Sequence, residues 1–202
     1  AVITDDDGSY EDWVELYKKL LFWELELENI NDQSMFEILE SQKVEANVQF
    51  GKFIERNYED WFDEKADKPI LSHKLFGEFV APEIRKKDKP ILFVVIDNLR
   101  LDQWKIFESI VFNHYKVEKE ANYYSILPTA TQYARNAIFS GLLPLEMEKK
   151  FPQYWKNDTE DGGKNLHEAD FLNEQLKRLG LNIKSEYFKI TNLRDGKKLV
   201  DN

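Results

Sequence analysis

Apolar positions along the first eighty residues recur at helical spacing. Trp13, Leu16, Tyr17, Leu20, Trp23 and Leu27 mark one amphipathic face, and Ser9-Tyr10-Glu11-Asp12 ahead of them is a capping signal. Ser34-Met35-Phe36-Glu37 predicts the start of a second helix, with a face through Phe36, Leu39, Ala46, Phe50, Phe53 and Ile54. Gly51 interrupts that face and argues against one unbroken helix. A shorter third helix is expected from Ser72 through Leu75, Phe76, Phe79 and Val80. Such segments bury their stripes against one another, so residues 1–81 predict a small helical bundle.

The pattern changes after residue 81. Residues 82–90 (PEIRKKDKP) are charged and flanked by proline, the composition of a linker. Beyond them, Ile91–Ile96 is a continuous apolar run, the pattern of a strand buried on both faces. Helices are predicted through Leu101–Val111, over 131–140, over 166–179 with Gly180 as its stop, and from Gly196 onward. Further strands are predicted over 115–127 and 181–190. This alternation over 91–202 predicts an α/β layer with a mostly parallel sheet.

Composition narrows the class. Hydrophobic residues make up 42% of the chain, with 14 Phe, 9 Tyr and 5 Trp against 8 Gly and 6 Pro, so a packed core is within reach and a low-complexity chain is excluded. The net charge of −10 argues against duplex nucleic acid as a partner. Without cysteine there is no disulfide framework and no thiolate zinc site. The longest apolar run, near 91–96, falls far short of the roughly 20 residues a membrane span needs. Asp5, Asp6 and Asp7 stand where a signal peptide would be basic. These features lead us to expect a cytoplasmic protein.

Three residues could carry chemistry. Asp97 lies at the carboxyl end of the Ile91–Ile96 run, where α/β sheets place ligands; it could ligate a divalent metal or cap the helix that follows. Thr131 opens a helix, where a hydroxyl faces free amides and suits a phosphoryl oxyanion; Thr131 or Thr129 could equally be an N-cap. Arg135 lies one turn later on the same face and could fork a phosphate or pair with a carboxylate. His73, His114 and His167 show no metal-ligand spacing, and His167 is expected to be solvated.

Together these segments resemble a known family. Phe93 through Asp102 (FVVIDNLRLD) resembles the first metal-binding strand of the alkaline phosphatase superfamily. Leu127-Pro128-Thr129-Ala130-Thr131, followed by Gly141-Leu142-Leu143-Pro144, resembles the nucleophile segment of its phosphodiesterase branch. Tyr133, Arg135, Phe139 and Ser140 bring the match closest to the PglZ domain, and the whole chain resembles the PorX-type response regulators. In those proteins a receiver domain precedes a helical bundle and a PglZ domain follows.

The resemblance implies a phosphodiesterase with two zinc ions acting on nucleotides or oligonucleotides. Thr131 would be the nucleophile and a metal ligand, Asp97 a zinc ligand, and Arg135 a catalytic phosphate holder. It implies an extracytoplasmic-function sigma factor and membrane components of type IX secretion as partners; a homodimer is the expectation of the helical half as an interaction module. Two departures stand out. Asn98 replaces the glycine of the phosphodiesterase branch, and no Asp-x-x-x-His segment follows to complete the zinc ligands. The chain is therefore expected to be a central fragment: a helical bundle plus the first part of the PglZ domain, inactive by itself. The competing expectation is a non-catalytic helical interaction module that transmits a two-component signal. Relatives of the mutase or sulfatase branches would use Ser or a modified Cys where Thr131 stands.

Overall fold

The computed structural model describes residues 8–30, 32–87 and 89–200. They form two compact units. One is built from the chain up to Pro69 together with Asn98–Asn122, the other from Ile70–Asp97 and from Tyr123 onward.

The first unit is a helical hairpin with a third helix. In α1 (Tyr10–Ile30) the expected cap forms: the Ser9 hydroxyl accepts the Asp12 N–H at 3.2 Å, and Asp12 accepts the Ser9 N–H at 2.9 Å. The next helix, α2 (Gln33–Asn57), starts slightly ahead of the predicted signal, because Asp32 accepts the N–H groups of Ser34 and Met35, both at 3.1 Å. It runs through Gly51 unbroken. Trp13, near the start of α1, packs on Phe50 and Phe53, near the end of α2, at ring separations of 5.5 and 5.8 Å. The two helices are therefore antiparallel. Lys43 ties their middles together, reaching Glu24 at 2.7 Å and Glu40 at 2.9 Å. Trp13, Leu21, Leu27, Leu39, Phe53 and Trp61 make the core of the unit. Helix α4 (Leu101–Phe112) belongs here too, and none of its residues is buried.

In the second unit, the helix expected from Ser72 is resolved into a 3-10 turn (Ser72–Lys74), a π turn (Phe76–Val80) and α3 (Ala81–Lys86). Pro82 lacks the N–H that an α-helix would give to the Glu78 carbonyl, and the turn before it widens. All of helix α3 after Ala81 falls in the stretch 82–90, whose composition reads as a linker. Then come α5 (Thr131–Ser140), α6 (Pro144–Lys150), α7 (Glu168–Arg178) and α8 (Leu193–Val200). Phe76, Ala81, Leu176 and Leu181 form a core cluster, with Phe93 and Leu172 packed against it.

The expected parallel sheet is absent. No β-strand occurs among the described residues; the one ladder element is an isolated parallel bridge between Leu71 and Tyr124. The fold is helical, and the α/β assignment is corrected accordingly. The reason lies in what a strand requires. The run Ile91–Ile96 keeps a period of two, with Phe93 and Val95 half-buried and Leu92, Val94 and Ile96 at 80, 63 and 55% exposure. Phe93 packs on Phe76 and Phe139 at 5.5 and 6.3 Å, but among the described residues no other segment supplies a backbone ladder. An apolar run encodes its own faces; its hydrogen-bonding partner has to come from elsewhere. Of the predicted strands over 115–127 and 181–190, the first forms only the Leu71–Tyr124 bridge, with the Tyr124 N–H on the Ile70 carbonyl at 2.8 Å, and the second forms no ladder among the described residues.

Candidate functional site

The three residues singled out from sequence converge in the second unit. Asp97 ends the Ile91–Ile96 run. Asn98 follows in the left-handed region (φ 58°), which glycine enters freely and asparagine tolerates better than most residues. The turn thus retains the geometry that a glycine would provide. Asp97 does not cap α4, whose N-cap is Arg100.

Thr131 is the first residue of α5, and Ala130 holds the N-cap position with no side-chain cap bond. Neither Thr129 nor Thr131 is the cap. The Thr131 hydroxyl is exposed and directed at Asp97, 3.5 Å from each carboxylate oxygen. The Thr131 and Gln132 amides at the start of α5 have no helical carbonyl to bond and present partial positive charge beside it, whereas the Tyr133 N–H bonds the Ala130 carbonyl at 2.9 Å.

Arg135, one turn on, places Nη1 2.7 Å from Asp97 Oδ2 and donates Nε–H to Glu168 Oε1. Arg135 and Asp97 side chains are 16 and 44% exposed, while Glu168 is 2% exposed. The second Glu168 oxygen accepts the Tyr187 hydroxyl at 2.6 Å and faces Lys189 Nζ at 3.4 Å. Burial pushes the Tyr187 phenol far above its ordinary value, and the Glu168 carboxylate adds to it, so Tyr187 remains a donor. Asn165 donates to the Thr131 carbonyl at 3.3 Å and to Asn136 Oδ1 at 3.0 Å, holding the first turn of α5 from the side.

Sequence reading missed Glu168, Tyr187, Lys189 and Asn165. Only the Tyr187/Lys189 spacing of two carried any signal, that of one face of an extended segment. His167 is not simply solvated: its Nδ1 meets Asp170 at 2.9 Å and its ring stacks on Tyr154 at 5.2 Å.

Asp97, Arg135, Glu168, Tyr187 and Lys189 all border a cleft of 1050 Å³ with Phe93 and Phe139 in its wall. The arrangement brings together a hydroxyl, a carboxylate in reach of its proton, and a guanidinium paired with that carboxylate.

Asp97 and Thr131 oxygens stand at a separation close to the edge of a tetrahedral zinc shell, about 3.4 Å for bonds of about 2.1 Å. Among the described residues, however, no group of three or more His, Cys, Asp or Glu could hold a metal ion. Two oxygens do not make a two-zinc centre.

Two family models match the chain. One, described as the PorX response regulator linker domain, matches residues 2–62. The other, described as the BREX system PglZ alkaline phosphatase-like domain, matches residues 75–202. No curated protein matches it.

Proposed function

Since the chain belongs to the PglZ family of alkaline phosphatase-like domains and carries a PorX-type linker ahead of it, we propose that it is the signalling and phosphoryl-transfer core of a PorX-type response regulator acting on nucleotides or oligonucleotides. The observation that carries this reading is the convergence of Thr131, Asp97 and Arg135. In the reaction, the Thr131 oxygen would attack the phosphorus of a phosphodiester. The Thr131 proton would pass to Asp97, an oxygen–phosphorus bond would form, and the bond to the leaving alkoxide would break. Arg135 would hold a phosphoryl oxygen, helped by the free amides of α5. Zinc would supply Lewis-acid activation in a complete site, to which Asp97 and Thr131 would each give one oxygen.

The test is phosphodiesterase activity and zinc content of the full-length regulator, wild type against Thr131→Ala and Asp97→Ala. Loss of activity with zinc retained in Thr131→Ala, and loss of zinc in Asp97→Ala, would support both roles. No change in either quantity would sink the catalytic reading.

A second reading concerns the first unit. Tyr17, Phe22, Trp23, Ile38, Val44 and Val48 on α1 and α2 are all more than half exposed. Apolar surface left over after a bundle core is complete favours an interaction role. The candidates for it are a second copy of the chain, an extracytoplasmic-function sigma factor and membrane components of type IX secretion.

No helix among the described residues is long and apolar enough to cross a membrane.

A further inference from the structure

Glu168, 2% exposed, is the acidic residue among the buried polar residues of the second unit, and nothing in the phosphoryl-transfer reading uses it. Its two oxygens are fully committed, one to Arg135 and the other to Tyr187 and Lys189. These partners come from α5 and from the segment after α7, so one carboxylate holds two parts of the chain together. Helix α7 itself is fixed against α5 two turns further along. There the buried Gln175 side chain donates to the Ile138 and Phe139 carbonyls at 3.0 and 2.8 Å. Glu168 and Gln175 share one face of α7, so Glu168 is presented from a rigid element.

The two carboxylates on Arg135 differ in kind. Glu168 is 2% exposed and Asp97 is 44% exposed. A pair shielded from water is held more strongly than one open to it, and leaving either partner of a buried pair alone is costly. The buried bond therefore anchors Arg135, and the exposed bond is the one that can be exchanged. Nε–H is taken by the anchor and Nη1 by Asp97; among the described residues Nη2 makes no hydrogen bond.

We propose that Glu168 is a positioning residue: it pins Arg135 through Nε so that the Nη edge of the guanidinium is presented beside Thr131 to a tetrahedral oxyanion. Asp97 then serves as the resident partner that such an anion displaces. This inference rests on the reading of Thr131 and Arg135 as a phosphoryl-binding pair.

The experiment uses the 202-residue chain with 15N label and inorganic phosphate as the probe. Two quantities are read: hydrogen exchange at the Arg135 Nε–H, assigned by its disappearance in Arg135→Lys, and phosphate affinity by titration. Glu168→Gln keeps the shape but removes the charge. It is expected to speed Nε–H exchange at least tenfold and to weaken phosphate binding about tenfold, with the circular dichroism spectrum unchanged. Glu168→Asp restores the charge and is expected to recover part of both. If Glu168→Gln does not fold, Glu168→Asp carries the test alone, with faster exchange and about threefold weaker binding expected. Unchanged exchange and affinity in the folded variant, with phosphate bound by the wild type, overturn the positioning role alone. A wild-type chain that binds no phosphate overturns the positioning role, while the activity test on the full-length regulator decides the phosphoryl-site reading separately.

Discussion

The Thr131 hydroxyl stands 3.5 Å from each carboxylate oxygen of Asp97, a residue 34 positions earlier in the chain. Equal distances place the hydroxyl astride the carboxylate, where either oxygen can accept its proton. Thr131 is also exposed and caps nothing, so its side chain does little for the fold. Thr131→Val, of nearly equal shape, should change stability by about 0.5 kcal/mol or less. In the full-length regulator it should abolish phosphodiester turnover, whereas Thr131→Ser should retain a measurable fraction. Equal rates for the valine variant and wild type, measured by product release, would show that another group attacks.

Gly141 ends α5 at φ 64°, and a Cβ built there would come within 2.2 Å of Gln175 Oε1 and 2.8 Å of its Cδ. Gln175 cannot swing aside cheaply, because its amide satisfies two carbonyls at the end of α5. Gly180, at φ 66°, has open space around the same position. Gly141→Ala should therefore cost about 2–4 kcal/mol, combining left-handed strain with overpacking, and Gly180→Ala only about 1–2 kcal/mol. Urea unfolding of the two variants compares them directly. Equal losses would mean that the Gln175 contact contributes nothing.

These two sites also show how far the chain could be read in advance. Helix α5 was legible to the residue: the helix expected over 131–140 is Thr131–Ser140, with Gly141 closing it. The Thr131–Arg135 pair followed from helical spacing alone. The sheet was not legible correctly: a run such as Ile91–Ile96 specifies its two faces, while the ladder that makes a strand depends on a partner segment. Glu168 was invisible for a related reason. A carboxylate in the first turn of a helix ordinarily complements the helix dipole in water. Its burial here comes from Arg135, 33 positions before it, and Tyr187, 19 positions after.

Asp32 should make the first unit acid-sensitive. The Met35 N–H and then the Ser34 hydroxyl hold its carboxyl below the ordinary value. A group whose folded value is depressed stabilises the fold above its unfolded value, near pH 4, and loses that contribution as pH falls through the folded value. The helicity of α2 should therefore decline below about pH 4. Asp32→Ala should lower the melting temperature at neutral pH and flatten the decline on the acid side. A variant whose acid limb matches that of wild type would show that other carboxylates dominate.

Phe22 and Trp23 lie edge to face at 5.5 Å on α1, yet they are 55 and 53% exposed. An aromatic pair in that state keeps much of its apolar surface in water and gains when a partner covers it. If a second copy of the chain is that partner, sedimentation equilibrium should find dimers at micromolar concentration. Trp23→Ser should then raise the dissociation constant at least tenfold, since aromatic anchors dominate such contacts. The same substitution should leave the monomer's stability nearly unchanged, because Trp23 is not part of the core that Trp13 forms with Phe53. A chain that stays monomeric at all concentrations would remove self-association and leave a different protein as the candidate for this face.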